Sequence, residues 1–194
     1  MALNNSETTW GTVSKVLHWA MAIVIIVAIA LALYADTLDP DIAADRALWW
    51  KLMIETHKPL GFVAMVLIVI RVIWALKNTR PQMPSSMKFW ELKTSKVIHI
   101  TLYGLMIFVP YSGYIMSQYA GGSPIDFFGL FKVPNFIGKD EEAVKIAHWL
   151  HVNIGLFLGA IVLFHVFAAL FHHFVRKDNV LKAMLPFSKA KTDE

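Results

Sequence analysis

Four long apolar segments dominate this chain, and they constrain its fold more than any other feature of the sequence. They cover approximately residues 15–34, 49–76, 95–117 and 143–175. A helix needs about 20 apolar residues to cross the hydrocarbon of a bilayer, and each segment has that length. Hydrophobic residues make up 57% of the chain and charged residues only 16%, which excludes an ordinary soluble domain. The sequence predicts an all-α membrane protein, a four-transmembrane-helix bundle that forms a single domain over residues 1–194.

The distribution of basic residues predicts how these helices are oriented. Of the 18 Lys and Arg residues, 11 lie in or beside the N-terminus, the second loop and the C-terminal tail, and 6 lie in the first and third loops or the adjoining span ends. Basic loops stay on the cytoplasmic side, so both termini are expected to be cytoplasmic. The opposite face includes an acidic first loop, Asp36–Arg46. Because the positive charge lies beside apolar segments, it indicates topology and gives no support for nucleic acid as a partner.

Histidines occur in every apolar segment, where an ionisable side chain is costly unless it has a function. His57 and His151 are each followed, four residues later, by a glycine: Gly61 and Gly155. Glycine one helical turn away leaves room for a flat ring beside the helix. The chain has no cysteine, which excludes covalently attached c-type haem, iron–sulfur clusters and thiolate zinc sites. The pattern therefore predicts non-covalent haem held by histidine.

With cytoplasmic termini, the histidines fall at two depths. The outer layer pairs His57 with either His148 or His151. His151 and His165 are 14 residues apart, close to four turns, so they share one face of the fourth helix about 21 Å apart. This spacing favours His151 over His148 and allows one helix to ligate two stacked haems. The inner layer offers His18 three possible partners: His165, His99 and His172.

A charged side chain in the second span supports the same layout. Arg71 lies 14 residues after His57, on the same helix face and at the depth of the inner layer. A buried guanidinium needs an anionic partner, and a haem propionate is a natural one. Two haems with histidine at both axial positions would carry single electrons across the membrane. The alternative is a haem-free transporter in which the same histidines bind a divalent metal or relay protons.

Several motifs extend this pattern over nearly the whole chain. They are KVLHW at Lys15–Trp19, ETHKPLGFVAMVLIVIRVIW around His57, KVIHITLYGLMIFVPYSGYIMS in the third span, FGLFKVP in the loop after it, and FHHFVRKDNVLKAMLP at Phe171–Pro186. Together they resemble the bacterial inner-membrane cytochrome b-561 family, the prokaryotic four-helix type with two haems. The resemblance implies two non-covalent b-type haems in a bacterial inner membrane. It assigns His18 and His165 to the inner haem, and His57 and His151 to the outer one.

The resemblance also implies what lies at the two ends of the electron path. It places a quinone pocket beside the inner haem, with ubiquinone as the expected substrate. His99, His172 and Lys96 are the candidate quinone residues, because the sequence places them at the inner interface, where a quinone needs proton donors. Some family members are similar to superoxide oxidases that reduce ubiquinone. Close relatives with the FGLF loop often accompany a periplasmic isoprenoid-binding lipocalin-like protein. The chain is therefore expected to be a membrane oxidoreductase or an electron-carrier cytochrome.

The outer face contains features that suit an electron donor. Lys51 and Lys58 would steer a small anion such as superoxide toward the outer haem. The long loop Gln118–Lys139 has the length and the aromatic residues of a docking surface or a lid. The acids of the first loop favour instead a redox partner with a basic patch. The sequence leaves the roles of His148 and His173 open.

Overall fold

The computed structural model describes residues 2–38, 44–121 and 124–188. Four long helices dominate it, and each is long and apolar enough to cross a membrane. The four predicted spans are therefore confirmed, with ends that extend a few residues beyond the predicted ones. The long helices are α1 (Thr12–Asp36), α2 (Ala44–Lys77), α3 (Phe89–Tyr119) and α4 (Glu141–Phe171). A π-helical turn, His172–Arg176, continues α4, and a short helix α5, Val180–Met184, follows it.

Parts of three predicted segments lie outside the described residues. These parts are residues 39–43 of the acidic first loop, residues 122–123 of the loop after α3, and residues 189–194 of the C-terminal tail. The rest of the predicted tail includes α5, which the sequence analysis did not predict.

The long helices expose apolar side chains along their length. Ile23, Ile100 and Phe167 are 60, 62 and 66% exposed. A surface of this kind is unfavourable in water, whereas lipid is a suitable solvent for it. Pro59 and Pro110 lie inside α2 and α3, and both helices continue through them. Membrane helices tolerate interior proline because neighbouring groups satisfy the backbone atoms that it frees.

The chain divides into two compact units, and each unit contains part of all four long helices. They are named here after one histidine in each. The His18 unit consists of the described parts of Met1–Met21, Leu67–Gly104 and Leu158–Glu194, and the His57 unit consists of the described parts of Ala22–Val66 and Leu105–Phe157.

The His18 unit is held together by hydrogen bonds between its segments. The indole N–H of Trp74 on α2 donates to Ser14 Oγ on α1 over 2.9 Å. The indole N–H of Trp19 on α1 donates to the carbonyl oxygen of Met184 at the end of α5, also over 2.9 Å. Each bond satisfies an indole donor that apolar surroundings would otherwise leave unpaired. The C-terminal segment is therefore attached to the helix that carries His18.

The His57 unit contains a short hairpin in the loop after α3, which the sequence predicted only as a loop over Gln118–Lys139. Strands β1 (Ile125–Phe127) and β2 (Phe131–Val133) pair antiparallel. The two central turn residues, Phe128 and Gly129, have φ values of 54° and 75°. Positive φ at both positions is typical of a type I′ turn, which usually contains Asn-Gly. Phe-Gly lacks that signature, so turn chemistry alone did not predict the hairpin.

Candidate functional site

The His57 unit brings together two histidines from different helices. The ring centres of His57 on α2 and His151 on α4 lie 6.0 Å apart, and the ring planes are 74° apart. His57 Nδ1 lies 2.8 Å from the carbonyl oxygen of Ala28. His151 Nδ1 lies 3.0 Å from the carbonyl oxygen of Val109. A carbonyl oxygen only accepts hydrogen bonds, so both Nδ1 atoms donate and both Nε2 atoms keep a free lone pair for a metal.

Two glycines leave space beside these histidines. Gly61 lies one turn after His57, and a Cβ placed on it would meet none of the described atoms beyond its own helix turn within 4 Å. Gly155 lies one turn after His151, and a Cβ there would have its nearest contact at 3.9 Å, with a methyl group of Val109. Both glycines of the repeated sequence pattern therefore border open or loosely filled space. A flat ring requires such space beside its ligands.

The His18 unit gathers three histidines from three helices. The ring centre of His165 on α4 lies 6.2 Å from that of His18 on α1 and 5.4 Å from that of His99 on α3. His99 Nδ1 lies 2.6 Å from the carbonyl oxygen of Ser95, so it donates there and leaves Nε2 free. Of the three partners predicted for His18, His165 thus lies beside it, and His99 lies on another side of His165 from a different helix.

Arg71 on α2 belongs to the same cluster. Its Nη2 lies 3.2 Å from His18 Nδ1, and its Nε lies 3.3 Å from the hydroxyl oxygen of Tyr103. A guanidinium only donates, so His18 Nδ1 accepts, and the neutral ring carries its proton on Nε2. Among the ion pairs formed by the described residues, none involves Arg71. A partly buried cation of this kind is suited to an anion that the chain itself does not supply.

A buried contact between a histidine and a carboxylate lies at the π-helical turn after α4. His172 Nδ1 is 2.5 Å from Asp178 Oδ2, and the two side chains are 11% and 6% exposed. The next residue, His173, has a buried Nδ1 without a hydrogen-bond partner among the described residues. Lys96, another predicted quinone residue, is exposed and forms no ion pair within the described ranges. Of the predicted quinone residues, His172 is thus held by a partner that the sequence analysis did not name.

A pocket of about 600 Å³ opens in the His57 unit, lined by residues on either side of His57 in the sequence. Its charged lining residues are Glu55, Lys58, Asp126 and Lys132. Glu55 lies 3.8 Å from Lys51, and Asp126 accepts a hydrogen bond from a backbone N–H of the hairpin turn. Lys58 and Lys132 form no ion pair with any of the described residues. The pocket therefore contains two lysines that form no ion pair with the described residues, beside two carboxylates, of which Asp126 lies opposite Lys132 in the hairpin.

Comparison with known proteins identifies the family. The family model described as prokaryotic cytochrome b561 matches residues 9–187. The chain belongs to the prokaryotic cytochrome b561 family. Cytochrome b561 homolog 2 of Escherichia coli (strain K12) is 33% identical over 186 residues, which cover 95% of each chain. Cytochrome b561 homolog 1 of the same organism is 36% identical over 141 residues, 71% of this chain and 77% of its own. A probable superoxide oxidase, CybB of Yersinia pestis, is 31% identical over 142 residues, 71% of this chain and 76% of its own.

As a cytochrome b561, the chain is a multi-pass bacterial membrane protein of electron transfer, and the family implies b-type haem. The predicted family and four-helix fold are thereby confirmed. The histidine pairs fit such a group. Two imidazoles that held one metal ion between them, at metal–nitrogen distances of about 2 Å, would have ring centres about 6 Å apart. The pairs His57–His151 and His18–His165 match this separation at 6.0 and 6.2 Å. The 5.4 Å between His99 and His165 is short for it.

Several residues that contact the predicted histidines or Arg71 in this cytochrome b561 were not predicted as site residues. They include Ser112 and Gly113 beside His151, Tyr103 beside Arg71, and Asp178 beside His172. All four lie in the motifs KVIHITLYGLMIFVPYSGYIMS and FHHFVRKDNVLKAMLP, which is the signal that could have found them. Their contacts depend on which helix faces meet, and hydropathy does not specify that.

Proposed function

We propose that this cytochrome b561 carries electrons across the membrane through two b-type haems, each held between two histidines. His57 and His151 hold one haem, and His18 and His165 hold the other. The observation that carries the proposal is the ring separation of 6.0 and 6.2 Å, found once in each unit. A haem with two histidine ligands supplies one-electron transfer and offers oxygen no open coordination position.

The chain's own residues prepare these histidines differently in the two units. In the His57 unit, two backbone carbonyl oxygens keep the ring protons on Nδ1, which orients both rings and makes them stronger ligands. In the His18 unit, His18 accepts from Arg71, so it must transfer its proton to Nδ1 and give up that bond before Nε2 binds a metal. Arg71 is then available to pair with a propionate.

The test of this proposal is the haem content of the purified full-length protein. The wild-type chain should contain two non-covalent haems with low-spin spectra. His57→Ala and His18→Ala should each retain one haem. His148→Ala is the control, because His148 is an exposed histidine of α4, and it should retain both. His99→Ala should also retain both. Loss of a haem in that variant would instead make His99 the partner of His165.

A folded but colourless wild-type protein would contradict the proposal. The haem-free transporter of divalent metal or protons would then be the candidate, and metal uptake into proteoliposomes would test it. No specific observation favours that alternative. In residues 2–38, 44–121 and 124–188, no group of three or more His, Cys, Asp or Glu side chains is arranged to hold a metal ion.

As the electron acceptor we propose ubiquinone, bound in the His18 unit at the cytoplasmic face, where both termini are predicted to lie. Quinone reduction consumes protons as well as electrons, so the site needs a group that donates a proton and regains it. His172 suits this role, because Asp178 binds its Nδ1 and leaves Nε2 for a ligand. His99 lies in the histidine cluster of the same unit, whereas Lys96 is exposed.

As the electron donor we propose superoxide at the opposite face, in the His57 unit. The relative from Yersinia pestis is named a probable superoxide oxidase, and the pocket beside His57 contains the unpaired cations Lys58 and Lys132. Lys51, the other lysine predicted to steer the anion, lies 3.8 Å from Glu55, so its charge is partly balanced. This role would make the chain an oxidoreductase that passes single electrons from superoxide to quinone.

A periplasmic redox partner is the other proposed donor. The hairpin after α3 exposes three large apolar side chains, Phe128, Leu130 and Phe131, which are 51, 77 and 50% exposed. Exposed apolar patches of this kind favour contact with a protein or with the membrane surface. A periplasmic isoprenoid-binding lipocalin-like protein, implied by the resemblance, remains a predicted partner for this hairpin.

A further inference from the structure

One turn of α3 places two oxygen atoms beside Nδ1 of His151. His151 Nδ1 lies 3.0 Å from the carbonyl oxygen of Val109 and 3.2 Å from Ser112 Oγ. The Ser112 hydroxyl donates to the same Val109 carbonyl oxygen over 2.7 Å. One backbone oxygen thus accepts from the hydroxyl of its own helix and from the imidazole of α4. The strength of the imidazole bond therefore depends on whether the hydroxyl is present.

The next residue, Gly113, determines how closely the ring approaches α3. A Cβ on Gly113 would lie 2.7 Å from His151 Cε1, 3.0 Å from Nδ1 and 3.2 Å from Nε2. These distances are shorter than van der Waals contact, and a planar ring has no flexible end that can bend away. Alanine at this position would therefore force the ring to rotate or the two helices to separate. Either change lengthens the bond from Nδ1 to Val109.

We propose that Ser112 and Gly113 are positioning residues that set the ring orientation and the ligand strength of His151. The inference rests on the proposed function, in which His151 is an axial haem ligand. An imidazole that donates strongly from Nδ1 is a more basic ligand, which favours oxidised iron and lowers the reduction potential. Gly113 keeps that bond short, and Ser112 Oγ, whose own proton goes to Val109, is a second acceptor for the Nδ1 proton.

Both residues therefore support donation from His151 Nδ1, beside the haem proposed for His57 and His151. In Gly113→Ala the Nδ1 bond lengthens, so the reduction potential of that haem should rise. In Ser112→Ala the Nδ1 proton loses its second acceptor, so the potential should rise as well. Rotation of the ring in Gly113→Ala should also shift the largest g value of the low-spin ferric haem, whereas Ser112→Ala adds no atom beside the ring and should leave it unchanged. Loosened packing alone would change the g value in both variants.

The experiment is a spectroelectrochemical titration and an electron paramagnetic resonance spectrum of each purified full-length variant. Ser117→Ala is the matched control for Ser112→Ala, because both serines lie on α3 and are 7% exposed. Gly138→Ala is the control for Gly113→Ala, since a Cβ there meets none of the described atoms within 4 Å. Both controls should retain the wild-type potentials and g values.

Unchanged potentials in both test variants, a fall in either of them, or a shifted g value in Ser112→Ala would overturn the inference. If Gly113→Ala fails to fold, Ser112→Ala decides alone, because removing a hydroxyl introduces no steric clash. Haem counting separates this outcome from failure of the proposed function. A wild-type protein with two haems and a His151→Ala variant with one would support His151 as a ligand. The titration then tests the two positioning residues only.

Discussion

Each of the two units contains a pair of histidines whose ring centres lie 6.0 or 6.2 Å apart, but the groups around the two pairs differ. In the His57 unit, both Nδ1 atoms donate to backbone carbonyl oxygens, which carry no charge and cannot titrate. In the His18 unit, the pair contacts a third histidine and the guanidinium of Arg71. The same unit also contains the buried contact between His172 and Asp178.

This difference supports the proposal that the two units have different roles in electron transfer. Backbone carbonyl oxygens fix the ring orientation and the proton on Nδ1, and they do not titrate themselves, which suits a site that only holds a cofactor and passes electrons. Ionisable side chains at membrane depth are expensive and persist where a substrate or a proton uses them. The His18 unit is therefore the better place for proton-coupled quinone chemistry, and the His57 unit for electron entry.

The largest effect is expected from the buried contact between His172 and Asp178 in the His18 unit. His172→Ala removes the proposed proton donor, and general acid–base groups contribute about 100-fold or more to such reactions. We expect ubiquinone reduction by the pre-reduced protein to slow by about that factor, as measured by stopped-flow absorbance. Haem content should stay at the wild-type value, because His172 is not one of the four proposed haem ligands and its Nδ1 is bound to Asp178. His148→Ala should reduce quinone at the wild-type rate.

Two results would contradict this prediction. Loss of a haem in His172→Ala would mean that a ligand has been mistaken for a substrate residue. An unchanged rate with intact haems would place quinone reduction outside the His172 region and remove the main functional difference between the units.

A smaller effect is expected from the charge of Arg71. A cation near the His18–His165 pair stabilises the reduced haem, which carries less positive charge, so Arg71→Gln should lower its reduction potential. A shift of about 60 mV corresponds to a tenfold change in a one-electron equilibrium constant, and we expect this order of magnitude. A redox titration in the His57→Ala background, which should retain only this haem, assigns the shift.

The matched variants make this test specific for charge. Arg71→Lys keeps the cation and should retain most of the wild-type potential. Arg176→Gln removes an arginine of the same unit that already has a carboxylate partner, Glu91 at 3.1 Å, and should leave the potential unchanged. Equal potentials in wild type and Arg71→Gln would show that the asymmetry between the units does not extend to their redox properties.

The features that the sequence predicted correctly depend on local properties of the chain. Hydropathy and length identified the four spans, because both are properties of contiguous segments. Helical periodicity placed His151 and His165 on one face of α4, and the structure brings each of them near a histidine of another helix. The ligand roles of these residues remain proposals.

The features that sequence analysis missed depend on how the helices pack. Whether His18 or His99 pairs with His165 is decided by the rotation of α1 and α3, and hydropathy does not encode such rotations. The close approach of Gly113 to the His151 ring likewise exists only after α3 and α4 meet. Asp178 contacts His172 because a π-helical turn and a left-handed Lys177 bend the chain back after α4. Such a turn has no strong sequence signature.

The smallest effect is expected at the pocket beside His57, and it tests whether superoxide is the donor. Lys58 and Lys132 are its unpaired cations, whereas Glu55 and Asp126 offset part of their field. A local cationic site raises the encounter rate of a small anion, so each substitution, Lys58→Gln or Lys132→Gln, should slow haem reduction about two- to fivefold. Lys145→Gln is the control, because Lys145 pairs with Glu142 at 2.7 Å, and it should change the rate little. The wild-type rate with superoxide generated in solution should fall as ionic strength rises, since salt screens charges separated by more than about 10 Å at 0.1 M. A slow reduction that is insensitive to salt and to both lysines would exclude superoxide steering, and a protein or lipid-borne donor at the exposed hairpin would become the better candidate.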